Sequence, residues 1–235
     1  VKAHARVVAE LVDGRTVLRE LRSMAPLTLV PHRGNPGAVH LVSSASAPLG
    51  GDDLELSLVA APGATLRLAT VAASLVLPGH RPGVSRFTVR VEAAEQSTVE
   101  YCPDATIVTE RACHEAVFRA SLAADARLVT REVLVLGRTG EKPGRLGTST
   151  IVRRDGRPLL NQRLEIGPLA ASPAVLAGRR VLATELRVGY EDPPGPVADD
   201  WCSLVPLAAG GSLATALAHD AVTARRLLDQ LDRSG

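Results

Sequence analysis

Groups able to bind a metal or move a proton gather in one stretch of this 235-residue chain: Glu100, Cys102, Asp104, Glu110, Cys113, His114 and Glu115, then Arg131, Glu132 and Arg138. Mixed carboxylate, imidazole and thiol groups suit a borderline divalent ion such as nickel or zinc. No pair among them has a diagnostic spacing, since there is no paired Cys-x-x-Cys and no His-Glu-x-x-His. Cys113 and His114 are therefore weak metal candidates, and charged groups at strand ends serve solubility equally well. There is no Gly-x-Ser-x-Gly elbow, and Gly137 to Lys142 lacks the Gly-Lys-Ser/Thr ending that cradles a nucleotide. The expectation is a protein that is not an enzyme and holds no tightly bound cofactor. Two other readings stay open: an interaction module built as a β-solenoid, and a metal enzyme using Cys113, His114 and nearby carboxylates.

Glu132 is the most informative of these residues. It lies in a run, Arg127 to Leu136, whose alternation places Leu128, Thr130, Glu132, Leu134 and Leu136 on one face. A carboxylate on an apolar face needs a partner or water. Arg131 points the other way, and Arg138 shares the parity of Glu132, so Arg138 is the candidate partner. A buried structural ion pair and a polar conduit both fit.

The elements that position these groups are strands. Short bursts of Val, Leu and Thr bounded by Gly, Pro and Asp predict strands near 5–12, 16–22, 27–31, 38–43, 54–60, 64–70, 85–92, 97–101, 114–122, 127–136, 146–153, 158–166, 180–188 and 202–207. Tight polar turns at Asp13-Gly14, Pro62-Gly63, Glu95-Gln96, Asp125-Ala126 and Asp155-Gly156 read as hairpins. From the second turn onward they recur about every 30 residues, and Ala60-Ala61, Ala93-Ala94 and Ala123-Ala124 approach the first three of these, as stacked similar units do. A mainly β, β-helical or stacked-hairpin architecture follows, with an ordinary sandwich as the alternative. Residues 191–199, rich in proline, read as a loop before the last strand. After Gly210-Gly211, the residues Leu213, Leu217, Ala221, Ala224, Leu228 and Leu231 predict an amphipathic helix at about 212–233 with Ser212 as N-cap. A shorter helix begins at Ser172-Pro173. No sharp linker divides the chain, so residues 1–235 form a single domain.

Composition narrows the function classes. Basic and acidic residues number 27 and 25, so no net field draws in a polyanion, and aromatic residues are only 2%, which leaves few stacking surfaces for bases or sugars. Nucleic acid is not an expected partner. No apolar run approaches the ~20 residues that span a bilayer, and no export signal is visible. Three widely spaced cysteines, Cys102, Cys113 and Cys202, form no disulfide framework and fit a reducing cytoplasm.

Three blocks of the chain resemble the UreD (also UreH) family of urease accessory proteins. In the first, Pro48-Leu49-Gly50-Gly51-Asp52 is similar to the family's Gly-Gly-Asp turn, and Pro62-Gly63-Ala64 with Leu66, Leu68 and Thr70 to its next hairpin. In the second, Glu100-Tyr101-Cys102-Pro103-Asp104-Ala105-Thr106-Ile107 resembles Glu-Tyr-Leu-Pro-Asp-Pro-Thr-Ile. In the third, Glu132 to Gly137-Arg138 with trailing Glu141 resembles Glu-x-x-x-x-Gly-Arg. The chain departs from the pattern at Ser44 to Ala47, where a glycine pair is expected, and at Val71 to Ser74, which lacks the usual Gln. The resemblance implies a β-helical protein that joins accessory proteins F and G, the latter a GTPase metallochaperone, and docks on the urease apoprotein. It further implies nickel in transit through an internal polar passage, for which Thr70, Ser74, Glu100, Asp104, Glu132, Arg138 and Glu141 are the expected residues.

Overall fold

The computed structural model describes residues 1–80, 82–167 and 173–232. The chain winds as a coil between two facing sheets. In chain order the strands of the first half are β1 (Lys2–Val12), β2 (Arg15–Arg22), β3 (Leu27–Pro31), β4 (Ala38–Ser43), β5 (Asp53–Ala60), β6 (Thr65–Thr70), β7 (Ser74–Val76), β8 (Ser85–Ala93) and β9 (Thr98–Tyr101). Those of the second half are β10 (Thr106–Val108), β11 (Cys113–Leu122), β12 (Arg127–Leu136), β13 (Arg145–Arg154), β14 (Arg157–Ile166), β15 (Val181–Val188), β16 (Val197–Asp199), β17 (Cys202–Pro206) and β18 (Ser212–Ala218). Two helices, α1 (Pro173–Leu176) and α2 (Ala221–Asp232), complete the described elements.

One sheet runs β14-β13-β11-β8-β5-β1-β2 and the other β16-β17-β18-β15-β12-β9-β6-β4-β3, with β7 and β10 joined to β12 at one end of the second. The middle of each sheet is parallel, and antiparallel strands close its ends. Each coil contributes one strand to each sheet, giving about four turns of a β-solenoid. All fourteen expected strands are present within a few residues of their expected ends.

Three of the five expected hairpins are something else. Pro62-Gly63, Glu95-Gln96 and Asp125-Ala126 join strands of opposite sheets, so they are arches, whereas Asp13-Gly14 and Asp155-Gly156 do form antiparallel hairpins. The arches are copies of one turn: Ala64, Ser97 and Ala126 donate their N–H groups to the carbonyls of Ala61, Ala94 and Ala123 at 3.0, 3.2 and 3.2 Å. The first two also hydrogen-bond the next, Gly63 N to Glu95 O at 2.9 Å and Gln96 N to Asp125 Oδ1 at 3.0 Å. Hairpin and arch have the same residue alternation. What separates them is the partner strand, and here β5 finds parallel, in-register partners in β1 and β8.

Inward residues stack in columns across the coils. One reads Ala5, Leu56, Val89, Phe118 and Thr150, and its neighbour Ala3, Leu54, Phe87, Ala116 and Thr148. The facing sheet supplies Leu68, Tyr101 and Thr130. The early coils are thus filled with leucine and valine, and Leu56, Leu58 and Leu66 are fully buried there. Toward β12 and β13 the columns turn small and polar.

The C-terminal stretch corrects two expectations. Ser212 to Ala218 is strand β18, and the helix begins only at Ala221, capped by Asp220, whose Oδ1 accepts from Thr223 N at 2.8 Å. Ser212-Leu-Ala-Thr-Ala-Leu-Ala alternates with period two, and β15 and β17 flank it on both sides, so the strand pairing wins over the Leu213/Leu217 helical spacing. The 191–199 loop likewise contains the short edge strand β16, and β18, not the segment at 202–207, is the last strand. Ser172, the expected cap of α1, lies outside the described residues. Helix α2 buries Ala224, Leu228 and Leu231 against Val133, Ala183, Ala214 and Ala216 on the outer face of the second sheet.

Candidate functional site

Two stacked interruptions shape the interior near β12. Between β6 and β7 the chain leaves the sheet at Val71 to Ala73, and between β9 and β10 it leaves at Cys102 to Ala105, where Pro103 has no N–H to give to a ladder. The two gaps are tied together: Asp104 N donates to Thr70 Oγ1 at 2.8 Å and Ser74 N to Ala105 O at 2.8 Å. On β12, the pairing with β9 ends at Thr130 and that with β10 starts at Leu134, so Glu132 sits beside the break.

Across from this break the columns of the other sheet shrink to Ala116, Thr148 and Thr150, and a cavity of about 220 Å³ opens between the sheets. Thr70, Ser74, Asp104, His114, Thr130 and Glu132 line it. Val71, also on its wall, is 59% exposed, so the cavity reaches the surface at the first interruption.

Glu132 has one hydrogen-bond partner among the described residues. Thr148 Oγ1 lies 2.9 and 3.1 Å from its two oxygens, and a hydroxyl carries a single proton, so most of the carboxylate's accepting capacity is turned to the cavity. Burial raises its pKa to about 7, against the smaller opposing pull of Thr148. Burial also raises the phenol of Tyr101, which stacks on Phe118, and the Glu132 charge adds to that rise. Burial would raise Asp104 too, but the Ala105 N–H and the Arg225 guanidinium outweigh it and hold that carboxyl below its usual value. Arg225 belongs to α2, so the helix is tied directly to the cavity wall. A second tie runs through Arg131, which bridges the buried Glu185 at 2.6 Å and Asp229 of α2 at 2.7 Å.

The structure therefore brings Thr70, Ser74, Asp104 and Glu132 to one cavity and leaves Glu100, Arg138 and Glu141 elsewhere. Glu100 pairs with Arg67 at 2.8 Å on the opposite side of its strand from Tyr101. Arg138 is not the partner of Glu132. Gly137, at φ 75°, turns the chain outward, and Arg138 Nε instead donates to Glu141 Oε1 at 2.8 Å on the exposed surface. The Arg138 hydrogen bonds pull the Glu141 pKa down to about 2. This pair closes a turn.

Cys113 and His114 diverge, as neighbours on a strand must. His114 is 3% exposed and faces inward, while Cys113 lies on the other side of the strand. Among the described residues, no three His, Cys, Asp or Glu side chains converge as a metal cage would need. The Cys102 thiol is pushed up to about 11, chiefly by burial, so it is no ready thiolate ligand.

The Gly50-Gly51-Asp52 turn is architectural. Asp52, 5% exposed, accepts from Leu49 N at 2.8 Å, and a Cβ on Gly50 would come within 2.7 Å of Gly79 N. Thr148 was not singled out by its sequence, although its alternation with Leu146 and Thr150 on an inward face was a usable signal.

Known proteins resemble this chain along its whole length. The UreD urease accessory protein family matches residues 1–233. A relative named urease accessory protein UreD 1 from Saccharopolyspora erythraea is 54% identical over 96% of this chain and 92% of its own length. Proteins named urease accessory protein UreD from Streptomyces coelicolor and Parafrankia sp. are 40% and 38% identical, over 97% and 98% of this chain and 94% and 88% of their own lengths.

Proposed function

The chain belongs to the UreD family of urease accessory proteins and has its role in urease maturation, and on that premise we propose that it is a non-catalytic assembly factor that helps pass nickel inward to the apoenzyme. It docks on the urease apoprotein together with accessory proteins F and G, in the cytoplasm, and nickel is its cargo. Thr70, Ser74, Asp104 and Glu132 offer the ion successive oxygen ligands along the cavity.

The observation that carries this reading is Glu132 itself. A carboxylate held by a single hydroxyl in a cavity that reaches the surface is costly to the fold, and a passing divalent cation would offset that cost. A conduit needs ligands that bind well enough to admit an ion and weakly enough to release it. Scattered hydroxyls between the two carboxylates, Asp104 and Glu132, meet that requirement better than a closed cage. No helix among the described residues is long and apolar enough to cross a membrane.

The test is activation of apo-urease by purified accessory proteins and nickel. Glu132→Leu is expected to keep the wild-type circular dichroism spectrum and its co-purification with F and G, yet to cut activation at least tenfold. Normal activation by that variant would refute the passage, and failure of the wild-type protein to co-purify with F would refute the docking.

A further inference from the structure

Among the described residues, His114 is the only histidine that lines the cavity. Its strand position is in register with Ser85 of β8. The Ser85 hydroxyl lies 2.8 Å from His114 Nδ1 and donates to the Cys113 carbonyl oxygen at 3.3 Å. A hydroxyl has one proton to give. If that proton goes to Cys113, Ser85 Oγ accepts the Nδ1–H of the ring, the tautomer that leaves Nε2 with an open lone pair. Nε2 has no hydrogen-bond partner among the described residues.

Glu132 approaches from the facing sheet. Thr148, its hydroxyl partner, is in register with Ala116, one inward position along β11 from His114. His114 and Glu132 line the same cavity from facing sheets, so an ion inside it can be met from both walls.

We infer that His114 Nε2 and the Glu132 carboxylate form a transient site for a borderline divalent cation of the nickel type, in which the nitrogen selects against magnesium and calcium. The site rests on the passage proposed above and adds a nitrogen ligand to its oxygens. Imidazole suits nickel, zinc and copper, whereas magnesium and calcium take oxygen. A ligand nitrogen must be unprotonated, and the Ser85 contact at Nδ1 leaves Nε2 as the ring nitrogen turned to the ion. Two protein ligands hold an ion loosely, as a cargo site requires. Ser85 is then the group that orients the ligand.

Nitrogen-15 histidine labelling of the full chain tests this directly. Long-range proton–nitrogen correlations should show His114 with its proton on Nδ1. Nickel(II) should broaden the His114 ring signals, magnesium at the same concentration should not, and Glu132→Gln should raise the nickel needed by about tenfold. A proton on Nε2, or broadening indifferent to Glu132→Gln, overturns the site. In apo-urease activation, His114→Gln should raise the nickel concentration needed for half-maximal rate. If Glu132→Leu blocks activation while His114→Gln requires no more nickel than wild type, the passage stands and the nitrogen site falls; if both activate normally, both fall.

Discussion

The two ends of the coil are built from the same strand pairing and yet have opposite interiors. Around β1, β5 and β6 the inward positions carry Val7, Leu56, Leu58 and Leu66, all fully buried, and the cavity touches these strands at Leu54 and Thr70. Around β12 and β13 the same columns carry Ala116, Thr130, Thr148 and Thr150, and the sheets enclose an open volume with Glu132 in its wall. The strands pair in parallel at both, but beside Glu132 the second sheet is interrupted between β9 and β10. A solenoid separates the ladder that holds it up from the side chains that decide what its interior does, so one end can be given to stability and the other to passage. The cost of the open end is met from outside, where α2 lays Leu228 on the second sheet and ties down Asp104 and Arg131.

Substitutions should separate the two ends by size of effect. Leu58→Ala, in the filled end, removes a fully buried side chain and should cost about 3 kcal/mol, read from the urea midpoint. A cost under about 1 kcal/mol there would mean that the early coils are no better packed than the late ones. Glu132→Gln should act in the opposite sense and depend on pH. The folded-state pKa of Glu132 lies above its value of 4.5 in the unfolded chain, so the wild-type protein loses stability as pH rises from the unfolded value to about 7 and stays at the lower level above it. The glutamine variant should lack that fall, leaving it more stable near pH 8 by about 2 kcal/mol, with the cavity's partial access to solvent keeping the gain below the full shift. Equal midpoint-versus-pH curves for the two proteins would show that the carboxyl is solvated and the cavity is not the costly place described. Smallest is Arg225→Ala, which removes a half-exposed ion pair to Asp104 and should change stability by under about 1 kcal/mol. Amide exchange in α2 should nevertheless quicken, and unchanged exchange would show that its apolar face alone holds the helix.

Much of this was legible in the sequence, and the reason differs from place to place. The strands were readable because Leu54, Leu56 and Leu58 alternate with polar neighbours, and period two survives whatever the partner strand is. The inward position of Glu132 was readable for the same reason. The arches were not, since Pro62-Gly63 turns the chain equally well within a sheet or between sheets. Strands β7 and β10 have three residues each, too few for any period to show. The Arg138 pairing failed because parity along a strand ends at Gly137, whose positive φ takes the chain out of the sheet.

From the sequence alone come the local pattern and the family motifs: which residues extend, which face each side chain takes, and the Gly50-Gly51-Asp52 and Glu132-to-Arg138 blocks that carry the resemblance. The tertiary structure alone decides that Thr70, Asp104, His114 and Glu132 share one cavity, because these residues sit on successive coils and on opposite sheets. Their meeting depends on how one turn of the solenoid registers on the next, and that register is set by backbone hydrogen bonds between strands about 30 residues apart, which no local pattern encodes.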